Sequence, residues 1–217
     1  MLTFPVMHFS EAPPTCTYVD GKESAATLTN YSFSVVNFGT PSPTRLVVVC
    51  VAGYRDAGGT VASATIGGVS ATIHLNTSIG NGSIATISAI VPTGETGAVT
   101  INWSTLQAAT TIDVYAIDNI KSTTPDFTAV DTTSPLSQSI TYDPNTIVIA
   151  HAKTYTTGSF TWSGSAGLIE QADHAYDGTN THSSAMKVMP ASGSGVGVTA
   201  TYSGTLSGFG LHIIGFK

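Results

Sequence analysis

At 217 residues the chain is long enough to bury a sizeable core without disulfide staples. Only 9% of it is charged, seven Lys plus Arg against thirteen Asp plus Glu for a net charge of -6. That balance excludes the cation clusters with which proteins neutralise nucleic-acid phosphates, and no apolar run approaches the ~20 residues of a membrane helix. No nucleic-acid or membrane partner is expected.

The first residues, Met1-Leu2-Thr3-Phe4-Pro5, carry neither a basic stretch nor an apolar run of the export-signal kind, so a soluble product made in the cytoplasm is expected. Cys16 and Cys50 lie far apart, and Cys50 sits inside an apolar strand pattern, where a free thiol behaves as a small hydrophobe. Both are expected to be free.

Taken in chain order, short runs rich in Val, Ile, Thr and Tyr predict strands over residues 46–52, 84–91, 99–103, 112–117, 147–152, 196–202 and 211–216. Between the first two, Val61-Ala62-Ser63-Ala64-Thr65-Ile66 and Val69-Ser70-Ala71-Thr72-Ile73 flank Gly67-Gly68. This predicts a hairpin whose turn needs positive φ. Residues 92–97 and 190–195 are rich in Pro, Gly and Ser or Thr and predict connecting turns. No stretch carries a capped apolar stripe of helical period, so helix is expected to be absent.

Three stretches recur about a hundred residues later, a period too long for a solenoid. Leu46-Val47-Val48-Val49-Cys50 returns as Thr146-Ile147-Val148-Ile149-Ala150, Val99-Thr100-Ile101-Asn102-Trp103 as Val198-Thr199-Ala200-Thr201-Tyr202, and Val114-Tyr115-Ala116-Ile117 as Leu211-His212-Ile213-Ile214. Strands of one composition also resemble each other by chance; the alternative is two pseudo-similar halves. The link from Asn119 to Asp126 is too short for a domain linker. The expected fold is therefore an all-β antiparallel sandwich, jelly-roll-like. It is expected to form a single domain over residues 1–217, its halves exchanging strands through Greek-key connections.

Chemistry is sparse. No G-x-S-x-G elbow is present, and Gly164-Ser165-Ala166-Gly167 and Gly193-Ser194-Gly195 have the composition of turns. The thirteen acids are scattered through turn contexts such as Asp20-Gly21 and Asp177-Gly178. The densest segment, from Glu170 to His182, holds two His and three acids without zinc or calcium spacing, and is expected to be a solvated loop. His8, His74, His151 and His212 fall in strand patterns and are expected to be satisfied sandwich residues. No catalytic residue, metal ligand or cofactor is therefore expected. Sugar binding would use aromatic platforms, for which Trp162, Tyr155, Tyr176 and Tyr54 are the candidates. Trp103 and Trp162 also fit as sheet-face aromatics.

Several elements together resemble a known class of domain. A strand containing Phe9 precedes Tyr31-Ser32-Phe33-Ser34-Val35, then Thr44-Arg45-Leu46-Val47-Val48-Val49 and the hairpin centred on Ile66-Gly67-Gly68-Val69. Val91-Pro92-Thr93-Gly94 leads into Val99-Thr100-Ile101, and the chain closes on Gly210-Leu211-His212-Ile213-Ile214-Gly215-Phe216-Lys217. This order resembles the jelly-roll-like β-sandwich domains, roughly 200 residues long, of tailed-phage virion proteins and bacterial surface proteins.

The resemblance implies a non-enzymatic virion structural protein, a capsid decoration, cement or head-fibre protein, assembled in the host cytoplasm. It further implies phage capsid or other virion proteins as partners, and a homo-oligomer. About the first twenty residues are expected to be an arm reaching a neighbour. The alternative implied is a carbohydrate- or receptor-binding module that takes a host surface glycan.

Overall fold

The structure, a computed structural model, describes residues 12–54, 59–80, 82–176 and 179–217. Among them the chain forms strands and turns only. The first half contributes β1 (Thr15–Ser24), β2 (Leu28–Asn37), β3 (Leu46–Tyr54), β4 (Val61–Ile66), β5 (Val69–Ser70), β6 (Thr72–Ser78), β7 (Gly82–Ile90), β8 (Thr96–Gln107) and β9 (Ala109–Asp118). The second contributes β10 (Phe127–Asp131), β11 (Leu136–Tyr142), β12 (Thr146–Thr154), β13 (Phe160–Ser163), β14 (Ile169–Tyr176), β15 (Asn180–Met189), β16 (Gly193–Tyr202) and β17 (Gly210–Phe216).

These strands make two sandwiches. One pairs a five-stranded sheet, β1-β9-β3-β7-β6, with a four-stranded sheet, β2-β8-β4-β5. The other pairs β10-β17-β12-β15-β14 with β11-β16-β13. Successive strands cross from sheet to sheet and the last strand returns beside the first, which is jelly-roll topology. Matching β10 through β13 to β1 through β4, and β14 through β17 to β6 through β9, turns the second order into the first but for the short β5, which has no counterpart among the described residues. The three recurring sequence stretches fall in β3 and β12, β8 and β16, and β9 and β17, so the two halves share one topology as well as a composition.

Each sandwich has its own core. Val47, Val49, Val51, Ile87, Val114 and Trp103 lie in the first. Val148, Ala150, Phe160, Val198, Leu211 and Ile213 lie in the second. The alternate residues of the same central strands turn the other way: Leu46, Val48, Cys50, Tyr115 and Ile117 meet Ile147, Ile149, Ile214 and Phe216 in a third cluster between the two five-stranded sheets. β3 and β12 are therefore buried on both faces along their whole length. That is why their sequences are continuous apolar runs, whereas β2, with one face in solvent, alternates polar residues with Tyr31 and Phe33.

Two expectations are corrected. The halves do not exchange strands, because each sheet draws all its strands from one half. The link back-bonds to the end of the chain, with Lys121 N–H donating to Lys217 C=O and Asp126 N–H to Gly215 C=O, and this sets β10 directly beside β17. The second half thereby closes its own sheet. The segment from Glu170 to His182 is mostly a hairpin rather than a solvated loop, with His174 opposite His182 across β14 and β15. Its inward positions are His and Ser, which hides the alternation that marks a strand. Of the first twenty residues, Thr15 onward belongs to β1, paired antiparallel with β9 of the same chain; residues 1–11, Phe9 and His8 among them, lie outside the described residues.

The Gly67-Gly68 turn has φ of 59° and 81°, as a primed hairpin turn requires. Beside it, Arg45 is fully buried. Its guanidinium donates to the carbonyls of Gly39 (2.6 Å), Val91 (2.8 Å), Thr93 (3.0 Å) and Gly94 (2.6 Å), tying two loops to the start of β3. Arg45→Met leaves those carbonyls without their donor and is expected to lower the unfolding free energy by about 3 kcal/mol. A urea titration reads this as a lower midpoint at unchanged slope, and a variant as stable as the parent would contradict the anchoring role.

Candidate functional site

The layer between the five-stranded sheets has two ends. Near the link it is the apolar cluster around Leu46, Ile147 and Phe216. Farther along β3 and β12 the same faces become polar. On β3, Cys50 is flanked across the sheet by Thr86 of β7 and Asp113 of β9. On β12, His151 is flanked by His212 of β17 and Ser184 of β15. His151, His182, His212, Asp113 and Lys153 are all buried.

The side chains form one row of hydrogen bonds. Thr77 Oγ1 lies 2.9 Å from His212 Nε2, and His212 Nδ1 lies 3.4 Å from Thr86 Oγ1. Thr86 Oγ1 is 2.9 Å from His151 Nε2, and His151 Nδ1 is 3.1 Å from His182 Nε2. His182 Nδ1 then faces Thr111 Oγ1 at 3.1 Å and Asp113 Oδ2 at 3.6 Å. On the other side of Asp113, His174 Nε2 donates to Oδ1 at 2.8 Å. Nearby, the Tyr115 hydroxyl donates to Ser184 Oγ at 2.7 Å.

The partners assign the tautomers. Asp113 Oδ2, at 3.6 Å, is too far for a hydrogen bond, but its negative charge favours a proton on His182 Nδ1, which then donates to Thr111 Oγ1 and leaves Nε2 to accept. His151 must then donate from Nδ1 and accept at Nε2 from the Thr86 hydroxyl. Thr86 in turn accepts from His212 Nδ1–H, and His212 Nε2 accepts from Thr77. All three rings are neutral, and every bond runs in the same sense, toward Asp113.

Burial without a countercharge lowers the affinity of these rings for a proton. Desolvation pulls the pKa of His182 down to about 4, although Asp113 opposes it, and that of His212 to about 3. Desolvation likewise lowers His151, with His182 and His212 adding to the effect. His174 at the rim behaves oppositely: its hydrogen bond to Asp113 raises it. Lys153, on the same face of β12 as His151, has its Nζ 4.7 Å from the centre of the Tyr54 ring and is lowered to about 7 by desolvation.

The predicted aromatic candidates are not brought into one surface platform. Tyr54 is fully buried under Lys153, so its ring offers no face to a sugar. Trp162 is half-buried, packs against the second core, and donates its indole N–H to Ser183 Oγ at 2.9 Å. Tyr155 is half-buried next to the end of β12, its N–H bonded to Ser207 C=O. The side chain of Tyr176 lies outside the described residues. Trp103 is buried in the first core and donates to Thr110 Oγ1. Both cysteines are free, and Cys50 is buried as its strand pattern predicts. Among the described residues no three His, Cys, Asp or Glu side chains are grouped to hold a metal ion.

No protein-family model matches this chain, and no curated protein does. Among solved structures, the crystal structure of the PBSX exported protein XepA is similar over 94% of this chain and 86% of that chain, at 11% identity and a TM-score of 0.26. So loose a superposition carries no argument about what this chain does.

His74, expected to be satisfied within a strand, is so: its Nε2 bonds Ser88 Oγ at 2.7 Å. That His151, His182 and His212 join in one row is a feature that strand patterns alone did not disclose. A signal was present, however, because His151 and Lys153 continue the face of Ile147 and Ile149 in a strand buried on both sides.

A histidine held neutral by burial binds its proton more readily in any state that exposes it, the unfolded chain included, so stability declines as pH falls below about 6.5. For His182 the decline runs to about pH 4 and amounts to roughly 3 kcal/mol. Urea titrations followed by far-UV circular dichroism between pH 7 and 4 are expected to show this slope. In His182→Gln, which hydrogen-bonds without titrating, the slope is expected to be shallower by about that amount; an unaltered slope would contradict the assignment.

Proposed function

We propose that this chain is a non-enzymatic structural subunit of a virion, of the capsid decoration or head-fibre kind, which associates with virion proteins and with copies of itself through its strand edges. The observation that carries this reading is where its large exposed apolar side chains lie. Among the described residues five of the six lie on edge strands, Val35 (66% exposed) and Leu28 on β2, Val69 on β5, Val130 on β10 and Ile169 (62% exposed) on β14, while Leu106 lies on inner strand β8.

Soluble proteins usually blunt such edges with charge. β2 carries no charged residue at all, and the register shift between Phe33 and Val36 pushes Val35 outward at a bulge. An edge with free backbone donors and acceptors and an apolar side chain is suited to strand addition. The low charge of the chain weakens repulsion between copies. The order of strand and turn motifs, which resembles that of tailed-phage virion domains, supplies the particle as the setting.

The test is sedimentation of the purified chain, alone and with phage particles assembled from the genome that carries its gene. Self-association and co-sedimentation are expected, and Val35→Lys and Ile169→Lys, both at exposed positions, are expected to weaken them at least tenfold without changing the urea midpoint. A chain that stays monomeric and does not co-sediment contradicts the proposal. Binding to host-surface glycans that is lost in Trp162→Ala would replace it with the receptor-binding reading.

A further inference from the structure

We propose that the histidine row is an acid-released latch between the two sandwiches: neutral, it holds the inner sheets face to face, and protonated, it drives that end of the layer open while each sandwich stays folded. The proposal does not rest on the particle assignment.

The geometry supplies three parts of such a device. The first is independence, since no strand is shared between the halves and each has its own core. The second is a hinge side. The layer is apolar next to the link, where Leu46 pairs with Ile117 and Ile147 with Phe216, and the link itself is bonded to Lys217. The histidine row lies at the other end. The third is a bond set that bridges the halves and fails on protonation. His151, His182 and His212 belong to the second half, and Thr77, Thr86, Thr111 and Asp113 to the first.

Each ring in the row accepts at Nε2, so a second proton turns an acceptor into a donor, aimed at a fixed N–H donor for His182 and at a hydroxyl that must rotate to accept for His151 and His212. A proton on His182 Nε2 would face His151 Nδ1–H across 3.1 Å. A proton on His151 Nε2 would face a Thr86 hydroxyl that now has to accept from both His151 and His212. The ring centres of His151 lie 5.3 Å from His182 and 5.4 Å from His212, so the charges also repel.

The surroundings offset this only in part, through Asp113 beside His182. Facing the row are Cys50 on β3, Thr86 and Ser88 on β7, Asp113 and Tyr115 on β9, Tyr18 on β1, Thr77 and His74 on β6, Ser184 on β15 and Lys153 on β12. His174 on β14 stands at the rim with Glu23, Asp20 and Asp173 beyond it. Inside the layer Asp113 is the single carboxylate among the described residues, already engaged by His174, and Lys153 and His174 contribute like charge.

Cys50 reports the opening because it is buried in the middle of this layer and in neither sandwich core. In Cys16→Ser, which leaves Cys50 as the sole thiol, its reaction with a dithiodipyridine, a disulfide reagent active in acid, is followed from pH 7.5 to 4.5 relative to glutathione. Far-UV circular dichroism is recorded in parallel. The expected result is a relative rate that rises at least tenfold between pH 6 and 4.5 while the strand signal is unchanged, and that stays flat when His151→Gln, His182→Gln and His212→Gln are added together. Protection at every pH where the strand signal persists would overturn the latch, as would exposure only in step with loss of that signal. If the combined variant does not fold, His212→Asn alone is expected to move the rise to lower pH, and a rise at the parent's pH would overturn the proposal.

Discussion

Covering both faces of the two five-stranded sheets is the constraint on which the rest of this structure depends. A sheet in a simple sandwich has a wet side on which polar residues can alternate with apolar ones. β3 and β12 have none, because one face of each belongs to a sandwich core and the other to the layer between sandwiches. Every polar side chain placed on those strands, or on their neighbours in the same layer, therefore has to find a protein partner, since an unpartnered buried polar group costs about 1–3 kcal/mol.

The apolar end of the layer meets this demand by having almost nothing polar in it. At the other end three imidazoles, three threonines and one aspartate share the layer, and the one-way row gives every imidazole nitrogen a partner while Asp113 Oδ2 stays without a hydrogen bond. The solution is conditional on charge. Neutral imidazole offers one donor and one acceptor, which is what a chain needs; imidazolium offers two donors and cannot occupy the same place. Holding the halves together and responding to acid are thus two consequences of one hydrogen-bond pattern.

The outer surfaces follow a different rule. The four-stranded and three-stranded sheets face solvent with hydroxyl-bearing side chains rather than charged ones, so the edges are not defended in the usual way. Val35 at its bulge and Ile169 at the start of β14 stand where a neighbouring strand would add. The buried row and the exposed edges are separate features of the chain, one internal to the stack and one directed outward.

The all-strand character, the Gly67-Gly68 hairpin, the seven predicted strands and the hundred-residue recurrence were all legible in the sequence, because they arise from local alternation, turn chemistry and composition. The burial of Cys50 was legible for the same reason. The segregation of strands into two complete sandwiches was not. Two equivalent halves are compatible with exchange or with separation, and the backbone bonds from the link to Lys217 and Gly215 decide between them. The strand at β14 was missed because His174 is an inward residue, and β1 because its bulge between Tyr18 and Asp20 breaks the period-two signal. His174 and His182 stand 61 or more residues from Asp113 and on a different sheet, so no spacing announces that they meet it. By itself the sequence determined which segments are strands and which residues avoid water. Only the tertiary structure decided which polar residues meet, since contact between sheets depends on how whole sandwiches stack and not on any local pattern.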